Sequence, residues 1–128
     1  KLTYADIGTS EEEIEQLIQE GYCLEAPECL AHARYAFGED KLEWLRRMDW
    51  CLDYAGKTYA DIGVEPGDVE ELYRAAHRQM AENNLKALRD FPKFIKAEIK
   101  RLEENLRKAN IGHADIGTSA EELATLTR

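Results

Sequence analysis

The chain of 128 residues carries 26 acidic against 17 basic side chains, for a net charge of −9. This charge argues against nucleic acid or a membrane as the main partner, because both are bound through Lys and Arg, and no apolar run approaches the ~20 residues that span a bilayer. A hydrophobic share of 44% fits one globular domain, and three cysteines without a secretory signal predict reduced thiols and a cytoplasmic location.

One phrase occurs three times along the chain. It reads YADIGTSEEEIEQLI at 4–18, YADIGVEPGDVEELY at 59–73 and HADIGTSAEELATLT at 113–127. Ala60 lies 55 residues after Ala5, and Ala114 lies 54 residues after Ala60. A fixed period of this size is the signature of a repeat architecture. We therefore predict one helical domain made of repeat one (2–57), repeat two (58–112) and a partial third repeat (113–128), which either caps the array or begins further copies.

Each copy of the phrase is predicted to connect two helices. Gly56 and Asn110 stand just before the second and third copies, and both residue types favour the left-handed backbone that ends a helix. Pro66 fixes the start of the next helix, because proline is favoured at the first helical position. The aligned N-cap pairs, predicted to form capping boxes, are Ser10 with Glu13 and Ser119 with Glu122.

The connector residues have predicted structural roles. The alanines and isoleucines would dock in the core, the glycines would supply the turn, and the aspartates would accept hydrogen bonds from connector amides. A calcium or phosphate site in the Asp-Ile-Gly tripeptide is disfavoured, because an EF-hand loop needs more oxygen ligands and a phosphate loop needs more glycines and a Lys. The turn and hydrogen-bonding residues are Asp6, Gly8, Asp61, Gly63, Asp115 and Gly117, and the docking residues are Ala5, Ile7, Ala60, Ile62, Ala114 and Ile116.

Repeat one is predicted to hold three helices, at about 10–20, 27–37 and 40–55, because apolar residues recur at helical steps and Pro27 interrupts the first run. The first helix would place Ile14, Leu17 and Ile18 on one face. The second would bury Phe37 among other residues, and the third would bury Leu45 and Leu52.

Repeat two lacks the internal proline. One helix would run to about residue 90 or be jointed at Asn83 and Asn84, and Pro92 would restart a helix that includes Phe94. Residues 42–63 can be laid over 96–117 without a gap, so that Leu45 aligns with Ile99 and Leu52 with Leu106. No segment has the alternating pattern of a strand. The predicted fold is all-α, with two tandem three-helix repeats stacked in a solenoid-like or bundle array.

Cys23, Cys29 and His32 are the weak metal candidates in the sequence. Cys29 and His32 would share a helical face, and His77 or Cys51 could complete a set of four ligands. The usual short Cys-x2-Cys spacing is absent, so ordinary buried thiols are the preferred interpretation and no metal or other cofactor is expected.

Trp44, Trp50 and Tyr54 crowd one predicted helix together with Arg47. Their spacing prevents all of them from facing one core, and exposed aromatic residues beside an Arg are typical of protein interfaces. The alternative is a central helix that buries two faces.

Charge is distributed unevenly along the chain. Residues 1–43 carry eleven acids against three bases, and residues 86–108 carry eight bases against four acids. The sequence therefore predicts a non-enzymatic structural or protein-interaction module with a protein partner, which would self-assemble head to tail through its acidic and basic ends. The alternatives are a metal or redox protein using Cys23, Cys29 and His32, and an acidic inhibitor or antitoxin that masks a basic partner.

Overall fold

The computed structural model describes residues 1–90 and 95–126. Within them the chain forms α1 (Glu11–Tyr35), α2 (Gly38–Ala55), α3 (Pro66–Asp90), α4 (Ile95–Ala109) and α5 (Ala120–Leu126), and no strand. This confirms the all-α prediction. Pro92 and Phe94, predicted to restart a helix, lie outside the described residues. None of the described helices is long and apolar enough to cross a membrane.

The prediction of three helices in repeat one is wrong. Pro27 lies inside α1, which continues to Tyr35. A proline there removes one backbone hydrogen bond and crowds the preceding turn. The residues that follow it, Cys29, Leu30 and Ala33, are buried against α2, so their packing keeps the helix continuous. Phe37 is exposed at the corner between α1 and α2 instead of being buried.

The sequence predicts either one continuous helix through Asn83 and Asn84 or a joint at these two residues. In the structure this helix is α3, and it continues through both asparagines. Asn84 accepts a hydrogen bond from Asn105 of α4 (2.9 Å) and donates one to Glu98 (3.0 Å). The amide is therefore satisfied across the helix pair and does not compete for the backbone of its own helix.

The described helices form two antiparallel pairs, α1 with α2 and α3 with α4, and α3 also packs against α2. The first core contains Leu30, Leu45 and Met48, and the second contains Leu85, Leu88 and Leu102. We call the two pairs the first hairpin and the second hairpin.

The three connectors (residues 4–10, 59–65 and 113–119) have the same local geometry. Each contains a short 3-10 turn, at Ala5–Ile7, Ala60–Ile62 and His113–Ile116. A carboxylate oxygen of Asp6, Asp61 or Asp115 accepts a backbone N–H three residues earlier, at 2.7, 2.7 and 2.8 Å. For Asp6 and Asp61, these bonds from Thr3 and Thr58 hold the carboxyl pKa below its usual value.

The helix starts differ in part from the prediction. Ser10 and Ser119 accept the N–H of Glu13 (3.1 Å) and Glu122 (3.0 Å), which is the N-cap half of each predicted capping box. The glutamate carboxylates do not return the bond. They bind Thr9 and Arg89 instead. The connector alanines are also exposed, so the connectors dock through Ile62 and Ile116 and not through alanine.

Gly63 lies at φ +72°, in the left-handed region that the connector pattern requires of it. Because a β-branched residue is strained there, we expect Gly63→Val to lower the free energy of unfolding by about 1 kcal/mol or more, measured by urea denaturation. Gly67 in the first turn of α3 has open space around its Cα and no positive φ. Gly67→Ala is therefore the control, and an equal loss in both variants would contradict the backbone explanation.

Candidate functional site

The second connector and the start of α3 cover the first hairpin. Val69 is 2% exposed and belongs to the first core, and Ile62, Val64 and Leu72 pack against it. Tyr73 also packs against this core. The phrase at 59–73 therefore acts as an apolar cover on the hairpin that precedes it.

Asp49 of α2 holds this cover in place. Its two carboxylate oxygens accept hydrogen bonds from the hydroxyl groups of Tyr59, in the second connector, and Tyr73, in α3. Burial, and then the bonded carboxylate of Asp49, raise the pKa of both phenols well above the usual range. Both tyrosines therefore remain donors at neutral pH, and one carboxylate ties three segments together.

The third connector and α5 cover the second hairpin in the same way. Leu123 is 3% exposed and packs in the second core, with Ile116 and Leu126 against it. Residues 113–126, the described part of the third copy, therefore form a cap on the second hairpin.

Two arginines of α3 hold this cap. Arg89 donates to the carboxylate of Glu122 (2.8 Å) and to the carbonyl of Gly117 (3.1 Å). Arg78 donates to the carbonyl of Asp115 (3.0 Å). Arg78 and Arg89 therefore bind backbone carbonyl groups of the third connector, and Arg89 also binds the carboxylate of Glu122 in the first turn of α5.

The first copy of the phrase covers neither of the two described hairpins. Ile7 is 68% exposed and Leu17 is 56% exposed, although their aligned residues in the other copies pack on a core. Leu24 is 76% exposed, whereas Gln79, which aligns with it on α3, accepts the N–H of Gly38 in the first hairpin. We call this surface the first-connector face, and it consists of the exposed residues Ile7, Leu17, Ile18 and Leu24 together with the half-buried Ile14.

The predicted aromatic interaction residues lie on α2. Trp44 is half-buried and stacks on His32, with ring centroids 4.4 Å apart. Trp50 and Tyr54 are exposed and both contact the ring of Tyr22, at 4.9 Å in each case. These rings cover the outside of the α1–α2 contact, so they have structural partners of their own.

Arg47, the fourth predicted interaction residue, pairs with Glu25 of α1 at 2.7 Å. Both side chains are partly exposed. This pair links α1 to α2 beside a group of thiols.

The structure groups the potential metal ligands differently from the predicted set. In the part of the chain that it describes, the ligand atoms that approach within 4.8 Å of one another belong to Glu25, Cys29 and Cys51. Cys23 and His32 are not in this group. Glu25 escaped the sequence prediction because nothing in the spacing marks one glutamate among many.

Burial raises the pKa of the Cys29 thiol and raises that of Cys51 to about 11, and the nearby Glu25 carboxylate acts in the same direction on both. Both thiols are therefore protonated at neutral pH. A protonated thiol is a poor nucleophile, so this pair is unsuited to covalent catalysis.

In the second hairpin the aligned positions carry amides. Asn84 aligns with Cys29 and Asn105 with Cys51, and Asn105 donates to Asn84 at 2.9 Å. His77, the remaining predicted ligand, is buried with its Nδ1 2.9 Å from the side-chain Oδ1 of Asn105. The histidine is thus part of a hydrogen-bond network and not of a ligand cluster.

The candidate site is therefore the first-connector face, with the thiol cluster as a separate feature inside the first hairpin. Comparison with known protein families, with curated proteins and with solved structures found no match to this chain.

Proposed function

We propose that this chain is a non-enzymatic protein-interaction module built from two tandem helical-hairpin repeats, and that it assembles head to tail with further copies of itself. One observation carries the proposal: two copies of the phrase cover a hairpin, and the first copy, with the same apolar positions, is exposed. A second copy of the chain offers the surface that the phrase fits.

Burial supports the repeat. The α1 and α3 helices are both 25 residues long and align without a gap. The aligned positions that are buried and carry Ala, Leu or Met in both hairpins are Ala26 with Ala81, Leu30 with Leu85, Ala33 with Leu88, Met48 with Leu102 and Leu52 with Leu106.

Charge supports the choice of partner. Glu13 in the first phrase aligns with Glu122 in the third, and Glu122 is the residue that Arg89 binds. In the proposed contact, Glu13 of one copy takes the place of Glu122 beside Arg89 of the next copy. The acidic start of one copy then faces the basic second hairpin of the next copy.

The incoming α1 would replace α5. The described part of α5, Ala120–Leu126, aligns with the first seven residues of α1. Because α5 is attached to its own hairpin, it competes at a high effective concentration. We therefore expect weak association that depends on protein concentration.

Sedimentation equilibrium from micromolar to millimolar protein, at low and high salt, tests the proposal. We expect the average mass to rise with concentration and to fall when salt screens the exposed charges. Leu123→Asp, which places a charge under α5 and weakens the competing cap, should increase association. A strictly monomeric mass at the highest concentration and low salt, for the parent chain and for Leu123→Asp alike, would contradict the proposal.

A further inference from the structure

Two thiols and a carboxylate converge between α1 and α2. Cys29 and Cys51 are fully buried, and Glu25 lies one helical turn before Cys29 on α1. Their ligand atoms all lie within 4.8 Å of one another. We propose that Glu25, Cys29 and Cys51 form a site for one thiophilic divalent cation of the Zn²⁺ class, which would fasten the two helices of the first hairpin together.

The spacing of the ligand atoms fits a tetrahedral ion. The Sγ of Cys51 lies 3.7 Å from the Oε2 of Glu25. In a tetrahedral zinc site with Zn–S of about 2.3 Å and Zn–O of about 2.1 Å, a sulfur and an oxygen ligand lie ~3.6 Å apart. Three ligands from the protein leave the fourth position to water, as in open zinc sites.

The carboxylate is already oriented. Arg47 donates to the Oε1 of Glu25 from Nε at 2.9 Å and approaches the same oxygen with Nη2 at 2.7 Å. This leaves Oε2 directed at the thiol of Cys51. A ligating carboxylate is commonly held in this way by a second partner.

Charge and proton balance are consistent with the site. Because Zn²⁺ binds cysteine as the thiolate, loading the site would convert two thiols into thiolates and release two protons. The two thiolates and the carboxylate are then balanced by the two charges of the cation and by the guanidinium of Arg47. Each buried charge in the loaded site would have a partner.

The second hairpin provides an internal comparison. Its aligned residues are Met80, Asn84 and Asn105, and the two amides hydrogen-bond to each other. These neutral amides are already hydrogen-bonded to each other and carry no thiolate, so they are poor ligands for a thiophilic cation. The expected stoichiometry is therefore one ion per chain.

The test uses the full chain in a thiol-free reductant, titrated with Zn²⁺ and, separately, with Co²⁺ as a spectroscopic probe. We expect one Zn²⁺ per chain after gel filtration, release of about two protons per ion, and thiolate-to-cobalt charge-transfer absorption. Cys51→Ser should weaken zinc binding at least a hundredfold. Cys23→Ser, which changes a thiol outside the group, should bind as the parent does.

Glu25→Gln provides the second variant, because it keeps the size of a partly exposed side chain and leaves the core unchanged. We expect about tenfold weaker zinc binding from it, even if Cys51→Ser folds poorly. Failure of the parent chain to retain Zn²⁺ would overturn the proposal. So would cobalt binding without the charge-transfer band, or an equal loss in Cys23→Ser and Cys51→Ser.

Discussion

Asp49→Ala is expected to lower the free energy of unfolding by about 2–4 kcal/mol. The substitution removes the carboxylate that accepts hydrogen bonds from the hydroxyl groups of Tyr59 and Tyr73. Both phenols are partly buried, and their hydroxyl groups lose this acceptor. Hydrogen bonds to a charged group contribute about 1.5–3 kcal/mol each, and a buried donor left unpaired adds a further cost. Chemical denaturation followed by circular dichroism measures the change.

Asp53→Ala is the matched control, because Asp53 is an exposed aspartate one turn further along α2. A surface substitution of this kind should change stability by no more than about 0.5 kcal/mol. Equal effects of the two substitutions would show that Asp49 does not anchor the second connector as described.

Leu17→Glu is expected to weaken head-to-tail association at least about tenfold. Leu17 is exposed in the single chain, while Leu72 and Leu126, which align with it, pack against a core. Burying a leucine side chain is worth about 1.5–3 kcal/mol, and an unpaired carboxylate in its place opposes burial. The association constant from sedimentation equilibrium is the measurement.

Tyr35→Glu serves as its control. Tyr35 is another exposed apolar residue on α1, but it aligns with Asp90, an exposed residue at the end of α3. A glutamate at residue 35 should therefore leave association unchanged. If both substitutions weakened it equally, general surface charge and not the first-connector face would be responsible.

The turn of each connector could be predicted from the sequence because its determinants are local, whereas the docking of the connector alanines was predicted wrongly. A glycine that needs a positive φ, an aspartate that binds a nearby amide and a serine N-cap act within a few residues. The same turn therefore appears in all three copies, whatever each copy is packed against.

The path of α1 could not be predicted in this way. Pro27 predicts a break from local geometry, but the buried residues on both sides of it pack on α2, and this packing is a tertiary effect. The reverse holds for Leu17 and Ile18, whose helical spacing predicts burial although they are exposed in the single chain. Periodicity identifies an apolar face but does not show which chain covers it.

The grouping of Cys29 and Cys51 with Glu25, in place of Cys23 and His32, could not be predicted for a related reason. Cys51 and Cys29 belong to different helices, so their contact depends on the register between α1 and α2. One signal was present in the sequence: the positions aligned with both cysteines hold Asn84 and Asn105, so that neither hairpin carries a simple apolar side chain there.

The most direct test of head-to-tail assembly exchanges the charges of Glu13 and Arg89 between two chains. Glu13→Arg alone places like charges at the proposed contact, so it should associate less than the parent at low salt. Arg89→Glu alone also places like charges there, but it loosens the competing cap as well because it removes the pair with Glu122. In an equimolar mixture, Arg at residue 13 of one chain meets Glu at residue 89 of the other. The proposed contact predicts that the average mass of the mixture in sedimentation equilibrium exceeds that of either variant alone at the same total concentration. A mixture no heavier than its components, while the parent chain associates, would contradict the pairing of the first-connector face with the second hairpin.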